Sequence, residues 1–345
     1  MRLAVDVMGG DHAPDAILKG CIEALATLPE DDELILVGQR DQIQEVLDER
    51  GVDDPRIVIE HASETIAMSE QAAKAVRSKK DSSIVRAALL CSPKAGSRRA
   101  EALLSAGNTG ACVSAAIMHM KRLSGVHRPG IAVTIPAFHG PIVLCDAGAN
   151  PEPRASHLAQ YGIMADTYAR HVLKIDNPRV ALMNIGSEEA KGTGIIKQTR
   201  DMLRAVPGLN YVGFIEGRGF FNNEADVIVT DGFIGNTILK MAEGLAKSLF
   251  AAIAQEIFET DPNLALQFEP VVKHIYAKND YHEYGGAPLL GVNGAMIIAH
   301  GSSESRTICN AVRTARQCVA SGVNDAIVRR LREVAPSLEP QREPA

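Results

Sequence analysis

Six short segments combine glycine with Asp, Asn, His, Thr or Lys: "DVMGGDHAP" at 6–14, "AGNTGA" at 106–111, "CDAGAN" at 145–150, "NIGSEEAKGTG" at 184–194, "TDGFIGN" at 230–236 and "YGGAPLLGVNG" at 284–294. Glycine lets a backbone come close to a ligand and adopts φ > 0 without strain. A helix that starts after such a loop adds unpaired N–H groups and the positive end of its dipole. Together they suit an oxyanion, and phosphate above all. In this grammar Gly9, Gly10 and Asp11 form one candidate cradle, and Asn108, Thr109 and Gly110 another. Asp146 and Asn150 bracket a third; Gly186 and Glu189, Gly235 and Asn236, and Asn293 belong to the remaining loops. Lys191 can hold a phosphate or polarise a carbonyl as a point charge. His12 can exchange a proton near neutral pH, and Asp231 can orient a nucleophile or take a proton. The pattern leaves the base open between His12 and Asp231. Each loop also reads, singly, as a tight structural turn.

Other chemistries lack their residues. There is no GxGxxG, no GxxxxGK[ST] and no GxSxG, so neither nucleotide binding nor a serine elbow has support, and no cofactor is expected. Asp11, Asp146, Asp231 and the Glu188–Glu189 pair are hard oxygen donors, but no ligand run or HExxH accompanies them, and no metal is expected. The six cysteines, at 21, 91, 112, 145, 309 and 318, form no CxxC and read as reduced thiols. A net charge of −6 and the absence of Trp argue against nucleic acid as a partner. The N-terminal "MRLAVDVMGG" lacks the apolar region of a signal peptide, and no long uncharged apolar run occurs, so a cytoplasmic protein is expected.

Residues of these types need elements to hold them. The chain has 345 residues with 46% hydrophobic and 23% charged content, enough for two lobes. Short apolar runs at 3–9, 32–38, 55–63, 131–138, 141–148, 179–186, 210–217, 224–232 and 293–303 read as strands. Helical spacing at 14–28, 39–51, 69–79, 82–96, 155–173, 197–208, 236–259, 306–322 and 324–334 alternates with them, and 103–123 runs from a short strand through a turn into a helix. The alternation predicts a doubly wound α/β sandwich, with ligands outside the carboxyl ends of the strands. The expected division is a first lobe at 1–140, a second at 141–292, a return to the first at 293–335 and a disordered tail at 336–345. The pattern breaks only at 260–284, expected to protrude as a surface, dimer or membrane element.

In order and spacing, "AVDVMGGDHAP", "GNTGA", "DAGAN", "NIGSEEAKG", "EGRGFF", "EADVIVTDGFIGN", "YGGAPLLGVNG" and "IAHGSS" resemble the bacterial phosphate acyltransferase family of phospholipid synthesis over about residues 1–335. The resemblance implies the fold of phosphotransacetylases and of the isocitrate and isopropylmalate dehydrogenases. It implies transfer of a long fatty acyl group from acyl carrier protein to inorganic phosphate. The acyl phosphate then serves a membrane glycerol-phosphate acyltransferase. A homodimer without cofactor is implied, peripherally bound to the inner face of the cell membrane through about 250–280. There the sequence departs: "FETDPNLALQF" is acidic and proline-broken, with Leu264, Leu266 and Phe268 as its apolar contacts. Ser187 and "KGTG" also depart from the usual run of the Lys191 loop.

The mechanism expected from both readings is direct attack by phosphate, held among "GGDHAP", "GNTGA" and "DGFIGN", on the thioester carbonyl. Lys191, Asn108 or backbone amides would stabilise the oxyanion. Met241, Leu245, Leu249, Phe250 and Ile253 are candidates for an acyl trench. Lys121, Arg122 and Arg128, or else Arg313, Arg316, Arg329 and Arg330, are candidate landing points for an acidic carrier. The competing readings are a phosphotransacetylase acting on a short-chain acyl-coenzyme A, a dehydrogenase, and a non-enzymatic peripheral membrane scaffold.

Overall fold

In the computed structural model, residues 1–260, 268–271 and 285–338 are described. Eleven strands form one sheet in the order β3-β2-β1-β4-β11-β10-β5-β6-β9-β7-β8. Their ranges are β1 Arg2–Asp6, β2 Glu33–Gly38, β3 Ile57–His61, β4 Ala102–Ser105, β5 Gly130–Ala137, β6 Gly140–Cys145, β7 Val180–Met183, β8 Tyr211–Ile215, β9 Val227–Val229, β10 Ala287–Leu290 and β11 Ala295–Ile298. Side chains alternate across the sheet. Leu3, Val5, Leu34 and Leu36 enter one core layer, while Ala4, Ile35 and Val37 enter the other. The runs "RLAVD" and "ELILVG" are apolar throughout because helices cover both faces.

One layer is closed by α1 (Asp15–Leu25), α2 (Arg40–Glu49), α6 (Ala155–His171), α7 (Gly194–Ala205), α9 (Ser305–Ala320) and α10 (Val323–Leu338). The other carries α3 (Ala72–Ser78), α4 (Ser83–Leu90), α5 (Thr109–Ala115) and the root of α8 (Gly232–Thr260). Gly20 lets α1 and α9 approach closely: a Cβ there would lie 2.5 Å from both the Ser305 carbonyl oxygen and the Ile308 Cβ, so the α1 backbone packs directly on α9.

The sequence alternation anticipates this doubly wound sandwich, with four differences. Residues 284–294 are not one loop: β10 lies inside them, because "APLL" is a strand whose proline sits between two glycine turns. The 230–236 segment is not a loop ahead of the helix either. α8 begins at Gly232, so "GFIGN" is its first turn, capped by Asp231, whose Oδ1 accepts from Ile234 N at 2.8 Å. α10 continues through Pro336 to Leu338, so the expected disordered tail is helical over 336–338, and residues 339–345 lie outside the described residues. Finally, the sheet is mixed. β10 runs antiparallel to β11 and to β5, and β5 antiparallel to β6. All other pairings are parallel.

These three reversals fix where the loops lie. The carboxyl ends of β1, β4 and β11 leave one edge of the sheet. Those of β6, β9 and β7 leave the other.

The element expected to protrude at 260–284 lies outside the described residues except for 260 and 268–271; the helix that leads into it, α8, is itself largely exposed. It has 29 residues, about 43 Å at 1.5 Å rise each, yet only Gly232 and Gly235 in its first turn are buried. Beyond them Met241, Leu245, Leu249, Ile253 and Phe258 are exposed. No helix among the described residues is long and apolar enough to cross a membrane.

Candidate active site

The expectation that the glycine loops converge in one cleft is not met within a single chain. Two of them, 6–14 and 106–111, join the Gly301 turn after β11 as one triad; 145–150, 184–194 and 230–236 follow β6, β7 and β9, which end at the opposite edge, as a second; and 284–294 belongs to neither.

The first triad follows the neighbouring strands β1, β4 and β11. Its loops touch through backbone. A Cβ on Gly9 would lie 2.8 Å from the Gly107 amide nitrogen, and Asp11 N donates to the Gly301 carbonyl at 2.8 Å. Gly10 has φ +112° and its Cβ would meet that same Gly301 oxygen at 3.2 Å, so only glycine fits. Beneath them sits Asp6, which the sequence reading quoted without assigning. Ser105 Oγ donates to Asp6 Oδ2 at 2.7 Å and accepts from Gly107 N at 3.1 Å, fixing the β4–α5 turn. Asp6 Oδ1 is buried with no hydrogen-bond partner, and burial raises the carboxyl's pKa against the pull of nearby hydroxyl donors. An aspartate closing an apolar strand, three residues before paired glycines, was the available signal.

Asn108 is less free than its type suggests. Its Oδ1 caps α5 by accepting from Ala111 N at 3.1 Å, and its Nδ2 donates to the carbonyls of Met68 at 3.0 Å and Glu70 at 3.2 Å. The side chain holds the loop in place. The Cys112 amide is taken by the Asn108 carbonyl, which leaves the amides of Thr109 and Gly110 unspent at the start of α5. His12 and Asp11 are exposed beside them.

The second triad follows β6, β9 and β7, with β9 in the middle. Asp146 is its hidden organiser. It is fully buried, and its carboxylate accepts from the amides of Ile131 at 2.9 Å, Gly148 at 3.2 Å, Ala149 at 3.0 Å and Asn150 at 2.7 Å. Burial pushes its pKa up, and those amides pull the other way. Asn150 spends its own amide on the Pro129 carbonyl at 2.8 Å and the Tyr161 hydroxyl at 2.7 Å, and its carbonyl accepts from Gly232 N at 2.9 Å. Asp146 and Asn150 therefore shape the floor, with their polar atoms already committed. Gly235 seats α8 on that floor: a Cβ there would fall 2.0 Å from the Asp146 carbonyl oxygen.

The side chains of the second triad left uncommitted among the described residues are Asn236, at the first turn of α8, and Lys191, in the loop after β7. The Asn236 side chain is exposed and passes over Gly148, whose Cβ would be 3.8 Å from it. Lys191 is half exposed, and its Nζ stands 3.9 Å from Glu188 Oε1, a loose pairing. A Cβ on Gly186 would meet the Lys191 stem at 3.1 Å, so that glycine gives the lysine its path. Glu189 points to different work. Arg204 and Arg200 hold it, each with a contact of 3.0 Å, and the Arg204 hydrogen bond foremost lowers its pKa. Asn293 is also committed elsewhere, donating to the Arg122 carbonyl at 3.0 Å. Asp231 serves as the α8 cap. No group of three His, Cys, Asp or Glu among the described residues could hold a metal ion, and the cysteines are free thiols. Leu264 and Leu266 lie outside the described residues; Phe268 is exposed.

Comparison with known proteins agrees with this architecture. The family described as "Fatty acid synthesis protein" matches residues 1–326. The phosphate acyltransferase of Desulfitobacterium hafniense (strain DSM 10664 / DCB-2) is 46% identical over 96% of this chain and 98% of its own. That of Heliobacterium modesticaldum is 46% identical over 95% of this chain and 96% of its own. Among solved structures, a phosphotransacetylase from Streptococcus pyogenes covers 92% of this chain and 94% of its own with a TM-score of 0.61 at 16% identity. A branched-chain phosphotransacylase from Enterococcus faecalis V583 covers 92% and 99% with a TM-score of 0.56 at 13% identity. These two share the fold. With its whole sheet and both loop triads inside the matched region, the chain belongs to the fatty acid synthesis protein family, the phosphate acyltransferases that its loops resemble.

Proposed function

We propose that this enzyme transfers a long-chain fatty acyl group from the thioester of acyl carrier protein to inorganic phosphate. The observation that carries this reading is the juxtaposition at the start of α8. Asn236, a free amide, stands one turn from Phe233 and Ile234, and the exposed apolar stripe of Met241, Leu245, Leu249 and Ile253 continues along the same helix. A polar group for a carbonyl thus adjoins an apolar track for a long chain.

The two triads take different parts. The unspent amides of Gly9, Gly10, Thr109 and Gly110 suit phosphate. Lys191 and Asn236 suit the oxyanion that forms on the thioester carbonyl. One phosphate oxygen attacks that carbon; a C–O bond forms, the tetrahedral intermediate collapses, and the C–S bond breaks with the carrier thiolate leaving. No covalent acyl-enzyme is required. His12 lies in the phosphate triad and is the base of this reading, since Asp231 is occupied as a helix cap. Because the triads leave opposite edges of the sheet, one chain supplies one half to each of two reaction centres. A homodimer joins the phosphate triad of one copy to the Lys191–Asn236 triad of the other. The acyl phosphate product suits a membrane glycerol-phosphate acyltransferase, and the apolar face of α8 suits a peripheral contact with the bilayer.

The test incubates purified protein with palmitoyl-carrier protein and phosphate. Acyl phosphate and free carrier are expected without added metal or nucleotide. Turnover confined to acetyl-coenzyme A would favour a short-chain phosphotransacetylase instead. Mixing a His12→Ala variant with a Lys191→Ala variant, each strongly impaired alone, should raise the activity well above the sum of the two through hybrid dimers. No recovery after subunit exchange would confine the site to one chain.

A further inference from the structure

Between the second triad and the start of β11 lies a surface whose positive charges have no carboxylate partner. Lys121, Arg122, Arg128 and Arg154 are exposed, and none forms an ion pair among the described residues. Of the alternative cations, Arg316 is paired with Asp32 at 2.9 Å and Arg330 with Glu333 at 3.5 Å, which leaves only Arg313 and Arg329 without a carboxylate among the described residues. The unpaired set is contiguous. Arg122 donates to the His127 carbonyl, His127 stacks edge-on against His157 with centroids 6.1 Å apart, and the Arg154 amide donates to His157 Nδ1 at 3.1 Å. Burial, then His127, Arg128 and Arg154, lower the pKa of His157, as expected where positive charge is uncompensated. Glu152 is the one exposed acid in the adjoining loop at 146–154, where Asp146 is buried.

The surface is wired to the second triad. Pro129, next to Arg128, accepts from Asn150 Nδ2, and Asn150 accepts from Gly232 at the first turn of α8. The loop is also held in an uncommon shape: Lys121 has φ +69°, and the Asn293 side chain donates to the carbonyl of Arg122. A non-glycine residue there is sterically disfavoured and is kept by its surroundings.

We infer that the surface of Lys121, Arg122, Arg128 and Arg154 docks the acidic protein that delivers the acyl thioester, beside the α8 start where the chain is handed over. This rests on the proposed acyl-carrier reading. Long-range attraction to such a patch raises the encounter rate and is screened by salt.

The test compares two donors with the Lys121→Glu/Arg128→Glu/Arg154→Glu variant and the full-length wild type. With acyl-carrier protein the variant's KM should rise at least about tenfold, and its dependence on ionic strength should flatten. With the same acyl group on a small uncharged thiol such as N-acetylcysteamine, kcat/KM should stay unchanged. An unaltered carrier KM would overturn the docking surface. So would an equal loss with both donors, which would assign these residues to the fold or the chemistry. Loss of binding to anionic vesicles with carrier KM intact would assign the surface to a membrane and overturn the inference. Wild-type protein inactive with either donor would refute the acyl-transfer reading itself.

Discussion

At the scale of single residues, the polar groups divide into those already engaged and those left free, and the division decides which substitutions matter for chemistry. Asp146, Asn150, Asn108, Asn293 and Glu189 spend their hydrogen bonds inside the chain. Lys191 and Asn236 do not. Lys191→Ala is therefore expected to lower kcat by roughly 100-fold, about 3 kcal/mol of transition-state stabilisation, with an unchanged melting temperature. Wild-type turnover in that variant would remove the lysine from the reaction. Asp6 predicts a pH effect instead. Its folded pKa lies above the unfolded value, so the folded state binds the proton more tightly. Its contribution is then fully present below the unfolded pKa and is lost as pH rises through the folded one. Asp6→Asn removes that slope, so the variant should gain stability relative to wild type as pH rises from about 4 toward neutrality. Melting curves collected across that range check it, and parallel curves would exclude Asp6 as the source. Residue types alone announced the candidates but not their commitments. Whether an asparagine offers its amide to a ligand or to a neighbouring carbonyl depends on segments distant in sequence, as with Asn108 and residues 67–70.

At the scale of elements, most of the alternation was readable because each strand is short, apolar and bounded by turn residues. β10 was not, since "APLL" between glycine pairs offers only four residues and a proline. The start of α8 was misread for a related reason: glycines that look like loop residues are there to let a helix settle on backbone. Gly235→Ala should accordingly destabilise the fold by about 1–3 kcal/mol or more, as its Cβ has no room beside the Asp146 carbonyl. Gly244→Ala, on the same helix with nothing within 4 Å, should instead stabilise by up to about 1 kcal/mol. Chemical denaturation of both variants distinguishes steric from propensity effects. Farther along, Leu245→Ser with Leu249→Ser should leave folding unchanged and raise KM for a sixteen-carbon donor far more than for a four-carbon one. Equal changes for both would take the acyl chain off this helix.

At the scale of the whole molecule, the sequence pattern correctly implied a doubly wound α/β sandwich with helices on both faces of the sheet, but strand direction was invisible to it. Apolar runs at 131–138 and 141–148 look alike whether they run with or against their neighbours, and the tight turn at Phe138–His139 makes β5 and β6 a hairpin. With β10 hidden as well, the reversals could not be counted, and the loops were expected to meet in one place. The proposed carrier surface was half legible: its cations are conspicuous in the sequence, whereas the absence of carboxylate partners among the described residues is a property of the folded surface.

The three changes of strand direction have a kinetic corollary. A monomer in which each edge carries half of the apparatus can be perfectly folded and still idle. If the proposed dimer holds the site, specific activity should depend on how much enzyme is in the tube, falling on dilution below the dimer's dissociation constant while circular dichroism stays constant. Stopped dilution assays over several decades of protein concentration would display that dependence, and a flat profile with demonstrably dissociated subunits would return the reaction to a single chain.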